Sequence, residues 1–229
     1  MSLKILYKVT SRSRPEWCKR AIQSILDNEA SPVRLILVSA DYDDPTMTSP
    51  DFLEWCSERP IHLCYGRSKN KIDAINRDVN KISEFYKWDI LVNVSDDQVF
   101  IKKGFDKVIR EEYSKECFVK NYNALDWVLH FPDGNRSDLM TMSIIGRAYY
   151  ERDRYIYWHE YITECCDDEA QEVAKLRGCY KFVDIQIFDH LHVAYGKAPM
   201  DRSYELNLSH EKRIKDRETL ERRRANNFQ

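Results

Sequence analysis

The residues able to do chemistry gather where apolar runs of this chain stop. Trp88-Asp-Ile-Leu-Val-Asn-Val-Ser95 has the length and β-branching of a strand, and it ends on two adjacent carboxylates, Asp96 and Asp97. Packing gives no reason for such an ending, because carboxylates at a strand's lip must be solvated, paired or bound to a cation. In an open α/β sheet that lip is where ligands bind. Two jobs fit the pair: holding a hard divalent ion together with an anion such as a diphosphate, or capping a following helix. Other apolar runs end in a similar way. Val33 to Ala40 stops at Asp41, and Leu3 to Val9 stops at the polar stretch Thr10-Ser11-Arg12-Ser13-Arg14. A helix start near Lys69 adds Lys71 and backbone N–H groups that suit an anion.

These residues need elements to position them, and the first hundred residues alternate strand and helix. The spacing predicts a strand over 3–9, a helix opened by Pro15, a strand over 33–40 and a short helix over 51–56. A strand over 61–65 follows, then one helix over 70–85 carrying Ile72, Ile75, Val79 and Ile82, then a strand over 89–94. This order predicts a doubly wound, mostly parallel sheet with helices on both faces, its strand tips on one shared edge.

The second half reads as irregular α+β. A helix is expected over 104–113, a strand over 117–125, and a hairpin around Pro132-Asp-Gly-Asn135. A helix over 167–176 closes at Gly178, and a last strand over 181–188 leads to Asp189-His190-Leu191-His192. His190 and His192 are expected to face opposite sides of this strand end. The segment 209–229 is highly charged and reads as a solvated tail or helix.

Composition bounds the rest. With 229 residues, 43% hydrophobic and 12% aromatic, the chain can bury a full α/β core. A net charge of -2 argues against a dedicated nucleic-acid binder. Seven cysteines with no Cys-x-x-Cys spacing fit reduced thiols and predict a cytoplasmic protein. No run reaches the roughly 20 apolar residues that span a bilayer.

On these motifs the chain resembles the GT-A glycosyltransferases, the nucleotide-diphospho-sugar transferase fold, in particular small family-two-type members. The matching stretches are Val9 to Pro15, Asp41, Lys71-Ile-Asp-Ala-Ile-Asn76, Ser95-Asp-Asp97, Asp167-Asp-Glu169 ahead of Leu176-Arg-Gly178, and His190-Leu-His192. The resemblance covers roughly residues 3 to 200. It implies one domain over 1–208, with a nucleotide-binding half (1–100) and an acceptor half (101–208), followed by the tail at 209–229.

The resemblance also implies roles. Asp41 would contact the base or ribose of a UDP- or GDP-sugar, with Thr10, Ser11 and Arg12 close by. Lys71 would approach the nucleotide or sugar, and Asp96 the ribose or sugar. Asp97 would bind Mn²⁺ or Mg²⁺, with His192 or His190 as a further ligand. An inverting transferase needs a base for the acceptor hydroxyl, and Asp167, Asp168 and Glu169 are the candidates. The bland reading of those three is a set of carboxylates at a helix N-terminus. Trp127, Tyr157, Trp158, His159 and Glu160 could line an acceptor pocket or simply pack. Two other functions share the fold class: a sugar-phosphate nucleotidyltransferase, disfavoured by a first loop without glycine, and a non-catalytic nucleotide-sugar-binding protein.

Overall fold

The structure is a computed structural model describing residues 2–120 and 125–229, with the backbone alone for 116–120. Seven strands form one mixed sheet. Four of them, β1 (Ile5–Thr10), β2 (Arg34–Asp41), β3 (Ile61–Gly66) and β4 (Ile90–Ser95), are parallel in the order β3-β2-β1-β4. Beyond β4 the sheet continues through β7 (Ile144–Gly146), β6 (Val128–His130) and β8 (Tyr180–Phe182). β7 runs antiparallel to both β4 and β6, whereas β8 is parallel to β6. A separate antiparallel pair joins β5 (Gln98–Phe100) to β9 (Phe188–His190).

Alternation along the strands supplies both faces of the core. Ile5, Tyr7 and Val9 of β1 pack with α1 (Pro15–Asn28), α2 (Pro50–Ser57) and α5 (Phe105–Lys120). Leu6 and its neighbours pack on the other face with α3 (Lys71–Asn76), α4 (Val79–Phe85), α6 (Arg147–Asp153), α7 (Cys166–Leu176) and α9 (His210–Ala225). The doubly wound α/β arrangement is therefore as the sequence predicts. Strand order reverses direction at β1, so the switch point lies between β1 and β4, beneath the loops that carry Arg12 and Asp96.

Several local expectations are corrected. The predicted helix over 70–85 is broken at Arg77, which is extended, and Asp78, which is left-handed at φ 73°. Side-chain bonding explains the break. Asn76 is tied to the backbone of Ile156 and Tyr157, and the Arg77 guanidinium turns the other way to reach Ala40 O and Asp41. Residues 117–120 continue α5 instead of starting a strand, and 121–124 lie outside the described residues. The predicted hairpin pairs Val128 with Ile145, but a long connection separates its strands. Buried Asp133 organises that connection by accepting from the Asn135 and Arg136 amides and from Thr141 Oγ1.

The predicted strand over 181–188 divides into β8 and β9, which belong to different sheets. The charged C-terminal segment is not simply solvated. Within α9, Asp216 is fully buried and accepts the amides of Ile162, Thr163 and Glu164, while Arg223 is buried against Glu169. Among the described residues no helix is long and apolar enough to cross a membrane.

Candidate functional site

Asp96 and Asp97 do not cap a helix. They form the turn between β4 and β5, one and two residues beyond the Thr10–Ser95 register pair. Both are nearly buried, at 7% and 5% exposure. Asp96 accepts a hydrogen bond from Ser11 Oγ at 2.7 Å and lies 3.3 Å from Arg14 Nη1. Burial and the neighbouring Asp97 push its carboxyl up to about 6, against the pull of Arg14 and Ser11. Asp97 is the ionised member. Burial opposes its charge, but His190 and Lys71 more than offset this and hold it well below the usual carboxylate range.

The two oxygens of Asp97 differ. Oδ2 accepts from the Tyr204 hydroxyl at 3.0 Å. Oδ1 lies 3.4 Å from His190 Nε2, yet it is buried and accepts no hydrogen bond. The charge that offsets this buried anionic oxygen is the His190 ring, at a distance longer than a tight ion-pair hydrogen bond.

The histidines depart from expectation. Residues two apart on a strand share a face, and His192, two positions past the end of β9 and capping the 3₁₀ turn Val193–Tyr195, stays on the side of His190. Its ring centroid lies 5.2 Å from that of His190, and both rings gather beside Asp97. Their electrostatics diverge. Burial opposes charge on His190, but Asp133 and Asp97 raise it to about 9, making it a cation pinned between two carboxylates. Burial lowers His192, and its Nδ1 accepts the Ala194 amide at 3.2 Å, so a cation would take that lone pair only by displacing the amide.

Lys71, the first residue of α3, is exposed, and its charge acts on Asp96, Asp97 and Asp167 together. The three acids of α7 fan apart. Asp167 is partly exposed, accepts the Asp168 amide, and is pushed up to about 6 by burial and by Asp168. Asp168 is also raised by burial, and it senses Arg224, Glu172 and Arg136 instead of Lys71. Glu169 is sealed in an ion pair with Arg223 and accepts from the Tyr161 hydroxyl, away from the others.

On the far side of β1, Asp41 closes β2 and is 6% exposed. Arg12 bridges it to Asp43, while Ser68 and Arg77 hold its other oxygen. Burial opposes its charge, yet Arg77, Ser68 and Arg12 keep the carboxyl low. Thr10 Oγ1 is buried at the sheet edge without a hydrogen-bond partner.

Four contributors escaped the sequence reading: Arg14, Asp201, Tyr204 and Arg77. The first three form a strap. Asp201 caps α8 (Arg202–Asn207) and grips Arg14 at 2.6 and 2.9 Å, and the Arg14 guanidinium lies 3.9 Å from the Tyr204 ring centroid. Only the Asp-x-x-Tyr spacing, with Asp201 as a helix N-cap, hinted at this segment.

Among the described residues no three His, Cys, Asp or Glu side chains form a ready-made metal cage. The donors present still fit a hard cation completed by substrate, since such ions are commonly held by one or two carboxylates plus phosphate oxygens. Asp97 Oδ1, which accepts no hydrogen bond, is the available protein donor, and His192 would join it on giving up its bond to the Ala194 amide.

No protein-family profile and no curated protein matches this chain. Solved structures do match its fold. A mannosyltransferase, PcManGT from Pyrobaculum calidifontis in complex with GDP-Man and Mn²⁺, aligns with a TM-score of 0.55 at 11% identity, over 81% of this chain and 55% of that one. S. aureus TarS 1-349 aligns with a TM-score of 0.59 at 12% identity in complex with UDP-GlcNAc, over 81% of this chain and 57% of that one. Its complex with UDP gives 0.60 at 11% identity, over 81% and 59%. This chain thus spans just over half the length of these proteins, and the fold it shares with them is the GT-A-like glycosyltransferase fold.

Proposed function

We propose that the chain is a metal-dependent glycosyltransferase that moves a sugar from a nucleoside diphosphate sugar to an acceptor hydroxyl. The observation that carries this reading is Asp97 at the switch point, its buried Oδ1 accepting no hydrogen bond and lying 3.4 Å from the His190 ring, with His192 and exposed Lys71 gathered beside it. Asp97 and His192 would hold Mn²⁺ or Mg²⁺, which when bound supplies Lewis-acid stabilisation of the leaving diphosphate.

The chain's own residues account for the remaining steps. Arg12, Asp41 and Thr10 line the nucleoside side, and Ser11 fixes Asp96 toward the ribose or sugar. Lys71 adds positive charge where the leaving group develops its negative charge. Asp167 accepts the proton of the acceptor hydroxyl at its carboxylate. Burial has tuned that carboxyl to about 6, close to the range in which a general base works best. Asp168 and Glu169 are placed for support of α7 instead.

The test is turnover of UDP- and GDP-sugars with and without Mn²⁺, together with thermal shift by the free nucleoside diphosphates. Native protein should turn over and be stabilised only with metal, and Asp97→Ala should abolish both. Turnover or stabilisation indifferent to EDTA and to that substitution would sink the metal assignment. Preference for triphosphates over diphosphates would favour sugar-phosphate activation instead.

A further inference from the structure

The run Asp41-Tyr42-Asp43-Asp44-Pro45 carries three acids past the end of β2, and Arg12 engages only the first two. Asp44 is 2% exposed, and its carboxylate is spent on neutral donors. Oδ1 accepts the Thr46 amide at 3.0 Å and Thr46 Oγ1 at 2.8 Å, while Oδ2 accepts the Ser13 amide at 2.6 Å. The backbone beneath it is fixed as well. Asp44 N donates to Asp41 O, and Asp44 O accepts from Thr48 N and Oγ1.

The bond to Ser13 crosses from the loop after β2 to the loop after β1. Ser13 is left-handed at φ 60°, a conformation that crowds the Cβ of any residue but glycine. Its side chain is exposed, so what it gives the site is the bend. The bend sends its two neighbours apart. Arg12 turns outward to Asp41 and Asp43, whereas Arg14 turns inward, nearly buried, to Asp96 and Asp201. A change of φ at Ser13 redirects the chain between them, so the two arginines cannot both keep these partners.

We propose that Asp44 is a positioning residue of the donor site: by holding the Ser13 amide it keeps the bend that aims Arg12 at the nucleoside side and Arg14 at the strap. The naming of the nucleoside side rests on the nucleotide-sugar reading above, whereas the bend does not. A carboxylate suits the task, because a charged acceptor binds an amide more strongly than a neutral one. An acid that merely closed the turn with Thr46 would have no effect on the loop after β1.

Asp44→Asn separates the two arms. Asparagine forms the turn with Thr46 as readily as aspartate. Its amide nitrogen then faces the Ser13 N–H, donor against donor, and the bend loses its holder. Calorimetry on the full chain with Mn²⁺ and UDP or GDP reads Arg12. Affinity should fall by about tenfold, the fold-change for one lost charge-assisted contact. The fluorine NMR resonance of fluorotryptophan at Trp17, assigned with Trp17→Phe, reads Arg14, whose guanidinium lies 5.1 Å from that ring's centroid. That resonance should shift. Ser13→Gly on the Asp44→Asn background should restore both readouts, because glycine takes the bend unaided. Thr46→Ala, which weakens only the turn, should move neither.

An unmoved Trp17 resonance in folded Asp44→Asn overturns the proposal, and so does a shifted resonance with unchanged nucleotide affinity. Two losses that Ser13→Gly cannot rescue make Asp44 a structural acid and overturn it equally. If neither nucleotide binds the native chain, the nucleotide-sugar reading falls, and the Trp17 resonance alone decides whether Asp44 sets the bend. Should Asp44→Asn fail to fold, Ser13→Val takes its place. A β-branched residue is strained in this conformation and should produce the same two losses, and native readouts from it would refute the assignment.

Discussion

The Tyr204 hydroxyl donates to Asp97 Oδ2 at 3.0 Å across 107 positions of sequence, fastening the C-terminal segment to the carboxylate after β4. This bond occupies one oxygen of the proposed cation ligand, while Arg14 and Asp201 hold α8 in place. Tyr204→Phe removes the donor and keeps the ring over Arg14. Mn²⁺ affinity, measured by calorimetry, should rise several-fold, while folding stability falls by about 1 kcal/mol, the net value of one hydrogen bond. Unchanged metal affinity would mean that the strap does not compete for Asp97.

Asp167→Asn should lower kcat by roughly 10²–10⁴ with little change in the donor KM, as expected for loss of a general base. In the native enzyme kcat should fall as pH drops through about 6, because protonation of Asp167 removes the base. The variant should lose that inflection. Asp168→Asn should retain it.

Lys8 gives a stability prediction. It is fully buried on β1, donates to Ala74 O, and is lowered to about 7 by burial, with Asp78 and Asp41 opposing and Arg77 adding to the shift. In the unfolded chain it titrates near 10.5. Between these values the unfolded state binds the extra proton, so stability rises with pH across this window. The stability difference between native protein and Lys8→Met should change by about 1 kcal/mol per pH unit from 7.5 to 8.5, as read from urea midpoints. A pH-independent difference would contradict this account.

The Glu169–Arg223 pair is buried at both ends, with the Tyr161 hydroxyl completing it. Removing one charge leaves the other stranded, so Arg223→Ala should cost roughly 3–5 kcal/mol and lower Tm by several degrees or more. Glu169→Gln should affect stability far more than kcat. A selective collapse of kcat would return Glu169 to the catalytic set.

Much of this was legible in the chain because the signals are local. Apolar runs ending on Asp41 and Asp96 report strand tips directly, and the alternation of strands and helices fixes which edge they share. The strap was not legible because its partners lie far apart in sequence: Arg14 meets Asp201, and Asp97 meets Tyr204. Neither α8 nor its contacts produce a periodic pattern. The break at Arg77 was hidden for the opposite reason. Ile72, Ile75, Val79 and Ile82 keep helical spacing across it, although the backbone between them unwinds to satisfy tertiary hydrogen bonds. His190 and His192 were misjudged because positions two apart on a strand share a face, so their convergence beside Asp97 is what the spacing itself implies.

That unwinding has a mechanical consequence. Asn76 and Arg77 are consecutive, yet Asn76 holds the backbone of Ile156 and Tyr157 beyond α6, and Arg77 holds Asp41 at the end of β2. A single peptide unit is thus a shared hinge pin. Neither segment can shift at this point without tugging the other, so a displacement of the Ile156–Tyr157 backbone and one of the Asp41 carboxylate would each be felt by the same two residues.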